Sequence, residues 1–210
     1  MLKTKSSKNS TNLRAIYCGV REENNMRPIF TIHAGEFLVG EYIEKNFPTL
    51  NVWIPSKDTG TDFLVTNKKD SSKSVAIQVK MSRDYKPSHA KDEFSRKLLA
   101  GGWLTLAHDK IEKSPADYWV FILVSHERKM KPKYIIIPPS KLLNLLVNIH
   151  GKSNSYHFYP WVLNTGIALH GRGLLKSEKE KIATESYTLG ERDLSIYLEN
   201  WAPLEKISNP

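Results

Sequence analysis

The chain has 210 residues and a mass of 24.0 kDa, which is about the size of one domain. Its hydrophobic fraction of 40% and aromatic fraction of 10% are typical of a globular protein and exclude disorder for most of the chain. The 31 Lys and Arg residues against 22 Asp and Glu residues give a net charge of +9. This charge favours a polyanionic partner, first of all nucleic acid, with a solubilising surface as the alternative.

Cysteine content and hydropathy narrow the class of protein further. The single cysteine, Cys18, excludes a disulfide framework and a zinc site built from cysteines. No apolar run approaches the ~20 residues that span a bilayer, and the N-terminus lacks the apolar core of a signal peptide. We therefore expect a cytoplasmic protein with no membrane partner.

The N-terminal segment is predicted to stay outside the core. Residues 1–12 form a flexible basic tail of Lys, Ser, Thr and Asn, which either frays or reaches a phosphate. We expect residues 13–210 to form a single domain.

The first helix is predicted over residues 33–46 and ends before Pro48. At about 100° per residue its apolar side chains share one face, and they are Leu38, Val39, Tyr42, Ile43 and Phe47. Glu36 lies at the border of that face, so its carboxylate is expected at the rim of the core, whereas Glu41 points to solvent.

The rest of the chain alternates predicted strands and helices. Strands are expected over 51–55, 61–66, 74–81, 118–125, 133–137 and 156–163, with a polar turn at 67–73. Helices are expected over 90–108, after Pro139, and from Thr188 to a stop at Pro203. This order predicts an α/β protein with a central mixed β-sheet flanked by helices.

Three chemically functional side chains are expected at one end of this sheet. Asp62 opens the second strand, and Gln78 and Lys80 lie on the third. Residues i and i+2 of a strand share a face, so the amide and the ammonium group point the same way. The hairpin between the two strands brings Asp62 beside them, and Glu36 supplies a second acid from the first helix.

Such a cluster suits hydrolysis of phosphodiesters with Mg²⁺ or Mn²⁺. The Asp62 and Glu36 carboxylates, the Gln78 amide oxygen and the Val79 carbonyl are oxygen ligands of the kind Mg²⁺ prefers. A bound metal lowers the pKa of its water and neutralises developing charge on the phosphate. Lys80 is expected to orient or deprotonate that water.

The pattern Gly35-Glu36, then Thr-Asp62-Phe-Leu-Val, then Gln78-Val-Lys80 resembles the PD-(D/E)xK nuclease superfamily, with its restriction-endonuclease-like fold. The match covers residues 33–81, with a core motif region of 33–147 and a C-terminal extension of 148–210. The resemblance implies that Glu36 is the helix acid, Asp62 the metal-binding aspartate, and Gln78 and Lys80 the final pair. The chain departs from the pattern at Thr61, where the family has Pro, and at Gln78, where it has an acid.

The resemblance implies a Mg²⁺-dependent DNA endonuclease that leaves 5′-phosphate and 3′-hydroxyl ends. A type II-like restriction endonuclease acting as a homodimer is the first interpretation, because one site per chain must cut two strands. A Holliday-junction-resolving or repair nuclease and an RNA-directed nuclease remain alternatives. Gln78 keeps open a catalytically inactive DNA-binding module of the same fold.

Several further residues are assigned from their sequence positions. The basic stretch after the motif predicts DNA contacts, with a solvated surface as the alternative, through Arg83, Tyr85, Lys86, Lys91 and Arg96. A second basic patch at 126–133 is interpreted as a solvated turn. Four tryptophans are expected to be packing residues: Trp103, Trp119, Trp161 and Trp201. Three histidines match no ligand spacing and are expected in loops or the core: His150, His157 and His170.

Overall fold

The structure, a computed structural model, describes residues 33–57, 59–82, 93–124 and 131–209. The predicted basic tail and most of the patch at 126–133 lie outside these ranges, as do the predicted DNA contacts Arg83, Tyr85, Lys86 and Lys91. The helices are α1 (Ala34–Asn46), α2 (Glu93–Lys97), α3 (His108–Glu112), α4 (Pro139–His150), α5 (Lys176–Ala183) and α6 (Ala202–Ser208). None of the helices in the described ranges is long and apolar enough to cross a bilayer.

Ten strands form one large sheet and two small ones in the described ranges. The strands are β1 (Leu50–Trp53), β2 (Phe63–Asn67), β3 (Ser74–Met81), β4 (Leu98–Gly101), β5 (Leu104–Ala107), β6 (Tyr118–Leu123), β7 (Lys133–Ile137), β8 (Ser155–Phe158), β9 (Pro160–Leu163) and β10 (Ala168–His170). The large sheet has the order β1-β2-β3-β6-β7, in which only the β3–β6 pair is parallel. The prediction of a mixed sheet flanked by helices is confirmed.

The two faces of the large sheet are covered by different elements. On one face, residues of α1 and α6 pack with alternate residues of β3, including Val39, Ile43, Val79 and Leu204. On the other face, α3, α4, β5 and β8 pack against Trp119, Phe121 and Leu123 of β6. Strand β6 is therefore buried on both faces, as its almost wholly apolar sequence predicts.

Helix α1 matches its prediction, with His33 as N-cap and Asn46 as last residue. Val39 and Ile43 are fully buried, and Glu41 is exposed. The helix approaches the sheet closely at Gly35, where an added Cβ would lie 2.9 Å from Cβ of Met81. This contact sets the first turn of α1 against the C-terminal end of β3.

The helix predicted over residues 90–108 is wrong. A short α2 is followed by strands β4 and β5, and only then by α3. The physical reason is the Gly101-Gly102 pair, because glycine disfavours helix and permits close packing. Gly102 donates to the Pro160 carbonyl at 2.8 Å, and a Cβ on it would lie 2.8 Å from Leu123 Cδ2.

Two further predictions in the C-terminal half are corrected. The strand expected over 156–163 is two strands, β8 and β9, which pair with β5 and β4 respectively. The helix expected to end at Pro203 is replaced by two short 3₁₀ turns, and α6 begins with Pro203 in its first turn. Proline is tolerated there because the first helical N–H groups have no intrahelical partner.

Candidate active site

Asp62 ties the start of β2 to the middle of β3. Its backbone N–H donates to the Ile77 carbonyl at 2.8 Å, and its Oδ2 accepts the Val79 N–H at 2.7 Å. The side chain is only 5% exposed. The paired residues of β2 and β3 end at Phe63 and Ile77, so Asp62 lies one residue before the pairing and is held to β3 by these two hydrogen bonds. The structure thus brings Asp62 against the strand segment that carries Gln78 and Lys80.

Gln78 and Lys80 are half-buried on one face of β3, as the two-residue period of a strand requires. Their neighbour on that face is Trp119 of β6, which is in register with Gln78. The Lys80 ammonium lies 5.5 Å from the centre of the Trp119 ring. This cation–π contact holds the ammonium group beside the indole on the cleft side of β3.

Gln78, Lys80 and Trp119 line a cleft of about 1000 Å³. One side of the cleft consists of these three residues and their neighbours, and we call it the sheet wall; the neighbours are Thr59, Gly60, Met81 and Ser82. The facing side is the crossover wall, residues 103–115, which includes β5 and α3. Among the described residues, the charged ones that line the cleft are Lys80, Lys110 and Lys113 against Asp109. A cleft lined with this balance attracts anions.

The crossover wall was missed from the sequence, because residues 90–108 were predicted to be one helix. Trp103, expected to be a packing residue, is instead 52% exposed and lines the cleft. The other three of these tryptophans, Trp119, Trp161 and Trp201, are buried as predicted. The Gly-Gly-Trp sequence was the available signal, since glycines beside an aromatic residue favour a loop over a helix.

Glu36 lies in the first turn of α1 and is 5% exposed. Its Oε2 accepts the His33 N–H at 3.3 Å, which gives the carboxylate a role at the helix N-terminus. The neighbouring Gly35 contact with Met81 places this turn at the same end of the sheet as Lys80. The helix itself packs on the face opposite to Gln78 and Lys80, together with Val79.

The predicted metal ligands are two carboxylates, Asp62 and Glu36, and two neutral oxygens, from Gln78 and Val79. The Val79 N–H faces Asp62, and the N–H and C=O of one strand residue project to the same side, so its carbonyl is directed toward that side too. Within the described ranges, no three His, Cys, Asp or Glu side chains are grouped so that they could hold a metal ion. A site of the predicted composition has only two such residues.

Two other predictions concern residues beyond the cleft. Arg96 is exposed on α2, and it is not among the described residues that line the cleft. His150 and His170 meet although their spacing gave no signal: their Nε2 atoms are 2.7 Å apart. His170 is fully buried, and its burial lowers the pKa to about 3.

Comparison of the chain with family models, with curated proteins and with solved structures finds no match.

Proposed function

We propose that the chain is a metal-dependent DNA endonuclease with a restriction-endonuclease-like fold. The observation that carries this proposal is the hydrogen bond from the Val79 N–H to Asp62, which joins the strand-start aspartate to the Gln78-Val79-Lys80 segment. Gln78 and Lys80 on that segment face a cleft whose charged lining is mostly basic. The acid, the amide and the ammonium group are thus combined beside a surface that fits a phosphate backbone.

The residues present fit a hard divalent cation such as Mg²⁺ or Mn²⁺, because every predicted ligand is an oxygen. Asp62 would hold the cation through its carboxylate, Gln78 through its amide oxygen, Val79 through its carbonyl, and Glu36 would add the second acid. Such a cation supplies Lewis-acid stabilisation of the phosphate and a more acidic water. With two carboxylates, the protein part of the site should bind the metal weakly, so that DNA phosphate strengthens binding.

Lys80 is the residue of this chain to which we assign proton movement and charge stabilisation at the phosphate. Its ammonium group is held over Trp119 on the cleft side of β3. From there its Nζ can orient the attacking water or stabilise negative charge in the transition state. Hydrolysis breaks the P–O3′ bond, so the water oxygen stays on the 5′-phosphate and the 3′-oxygen leaves with a proton.

The identity of residue 78 favours a second candidate, a DNA-binding module of the same fold without catalysis. A glutamine provides a neutral ligand where the family pattern has an acid, and this removes one negative charge from the metal site. Among active enzymes, a type II-like restriction endonuclease that acts as a homodimer is our first candidate. A junction-resolving or repair nuclease is the alternative.

The test is cleavage of supercoiled plasmid DNA with Mg²⁺ or Mn²⁺ by wild-type protein and by Asp62→Asn. Asparagine can still accept the Val79 N–H but lacks the charge, so cleavage should fall by on the order of 10²-fold or more. The matched control is Asp117→Asn, because the exposed Asp117, just before β6, likewise accepts a backbone N–H of β3, that of Ala76, at 2.8 Å. This control should cleave like the wild type.

Each outcome separates the candidates. Cleavage by Asp62→Asn at the wild-type rate would reject the assigned site. Tight DNA binding with no cleavage under either metal would reject the endonuclease and favour the inactive module. Circular dichroism of each variant establishes that the buried substitution at Asp62 leaves the fold intact.

A further inference from the structure

Trp103 is a large aromatic side chain left exposed on the wall of a cleft. It is 52% exposed, whereas Trp119, Trp161 and Trp201 are at most 5% exposed. Its indole lines the same cleft as Lys80. Burial of an aromatic side chain is strongly favourable, so an exposed one inside a cleft indicates a surface that a ligand covers.

The position of this indole is tied to the strand that carries Lys80. Ser82, the residue after β3, accepts the Trp103 N–H at 2.6 Å and donates from its hydroxyl to the Trp103 carbonyl at 2.9 Å. Ser82 is itself buried. On the other side, Gly102 is held by its hydrogen bond to the Pro160 carbonyl. The backbone that carries the indole is therefore held by hydrogen bonds at Trp103 and at the preceding Gly102.

A second ring extends the aromatic surface. The His157 imidazole lies at 29° to the indole, with 6.4 Å between ring centres. Its Nδ1 is 3.2 Å from the Thr105 hydroxyl, which fixes the ring orientation. Trp103, backed by His157, lines the cleft together with Lys110 and Lys113, and this combination matches a ligand that has a flat heteroaromatic group and phosphates.

We infer that Trp103 stacks on an unpaired nucleobase, so that the cleft takes a single-stranded segment of DNA. This inference rests on the proposed function, and it narrows the substrate. In the interior of an intact duplex both faces of each base are covered by neighbouring bases, so away from duplex ends only an unpaired base can stack on Trp103. Stacking on an aromatic ring tolerates any base, because every base has a π-face.

The experiment measures binding without cleavage. Fluorescence anisotropy in EDTA gives Kd values for a labelled single strand of about 12 nucleotides and for an internally labelled blunt duplex. Trp103→Ala should weaken binding of the single strand by roughly 5- to 100-fold, and Trp103→Phe should retain most of it. Binding of the duplex should change less than about twofold, since the lysines remain.

The matched control is Trp53→Ala, because Trp53 on β1 is 55% exposed and does not line this cleft. This variant should bind both DNAs like the wild type. Trp103→Ala with unchanged single-strand affinity, or with equal losses for both DNAs, would overturn the inference, as would a wild-type protein that binds no single strand.

The EDTA measurement also separates this inference from the endonuclease proposal. Metal-dependent plasmid cleavage combined with unaltered binding by Trp103→Ala would overturn the stacking role alone. Single-strand binding that depends on Trp103, combined with no cleavage under any metal, would support the stacking role and reject the endonuclease.

Discussion

The two walls of the cleft differ in how they are built and in what they carry. The sheet wall belongs to the large sheet, where strand pairing holds Gln78 and Lys80 in register and the Val79 N–H binds the neighbouring Asp62. The crossover wall lies between β3 and β6 in sequence and consists of a short strand, a one-turn helix and an exposed indole. The groups proposed for chemistry are on the first wall, and the groups proposed for binding are on the second.

This difference matches the physical demands of the two tasks. Chemistry needs side chains fixed to within a fraction of an ångström, which strands buried on one or both faces provide. Binding of an irregular polyanion needs charge and aromatic surface, which a less regular segment can present. The two walls are joined by the Ser82–Trp103 hydrogen bonds, so ligand contact at one wall can position the phosphate at the other.

The largest expected effect is on the cleavage rate, and it distinguishes a lysine of the sheet wall, Lys80, from a lysine of the crossover wall, Lys113. Lys80→Met should lower the single-turnover cleavage rate by on the order of 10²–10⁴-fold with little change in Kd, because Lys80 is proposed to act on the water and the phosphate. Lys113→Met should leave the rate at saturating DNA within about twofold. The Kd of this variant for DNA should rise about two- to tenfold, and the slope of log Kd against log salt concentration should fall by about 1.

Rapid-quench cleavage and anisotropy titrations over a salt series measure the two quantities on the same proteins. Both side chains are replaced by methionine, so the loss of charge and the retained bulk are matched. A rate loss of equal size in both variants would contradict the division of roles between the walls.

The next effect concerns the strands that support the crossover wall. Tyr159 is the residue between β8 and β9, and its backbone N–H donates to Nδ1 of His170 on β10 at 3.2 Å. These two strands pair with β5 and β4, which flank Trp103. Burial, and then the charges of His150, Arg192 and Arg172, lower the pKa of His170 to about 3.

A lowered histidine pKa means that the unfolded chain binds the proton more readily than the folded one. Stability from this group is therefore complete above its unfolded pKa of about 6.5 and declines as the pH falls toward 3. Between pH 7 and pH 5 the free energy of unfolding should fall by about 2 kcal/mol through this group. Urea unfolding at the two pH values measures the difference.

The control for the pH effect is His170→Asn, whose Oδ1 can still accept the Tyr159 N–H but does not titrate. The difference in unfolding free energy between pH 7 and pH 5 should be smaller in this variant by about the same 2 kcal/mol. The comparison is made within each protein, so a lower absolute stability of the variant does not affect it. An unchanged difference would show that another group carries the pH dependence.

The elements around the sheet wall could be predicted from the sequence, whereas the crossover wall could not. The bounds of α1, β3 and β7 were obtained almost to the residue, because each has a strong apolar period or a β-branched run between clear breakers. The adjacency of Asp62 to β3 followed from a short hairpin. Local pattern determines both features, so no distant contact had to be known.

The crossover wall could not be predicted in this way. Strands β4 and β5 pair with β9 and β8, with 48 to 65 residues between partners, so their strand form depends on partners that local pattern does not show. The His150–His170 contact likewise joins α4 to β10 at a spacing of twenty residues. Long-range pairing thus determines the wall to which we assign substrate recognition.

The smallest expected effect tests whether residue 78 of the sheet wall contacts the metal ion. Gln78→Glu places a carboxylate on the cleft side of β3 and so adds a third hard, charged ligand to those of Asp62 and Glu36. The Mg²⁺ concentration that gives half-maximal cleavage should fall by about three- to tenfold, because Coulomb attraction to the cation grows. DNA binding in EDTA should weaken by about two- to threefold, because the same charge repels phosphate when no metal is present. Gln78→Ala is the matched control, and it should require more Mg²⁺ than the wild type. If Gln78→Glu and Gln78→Ala moved the Mg²⁺ requirement in the same direction, residue 78 would not contact the metal, and the proposed ligands would be reduced to Asp62, Glu36 and the Val79 carbonyl.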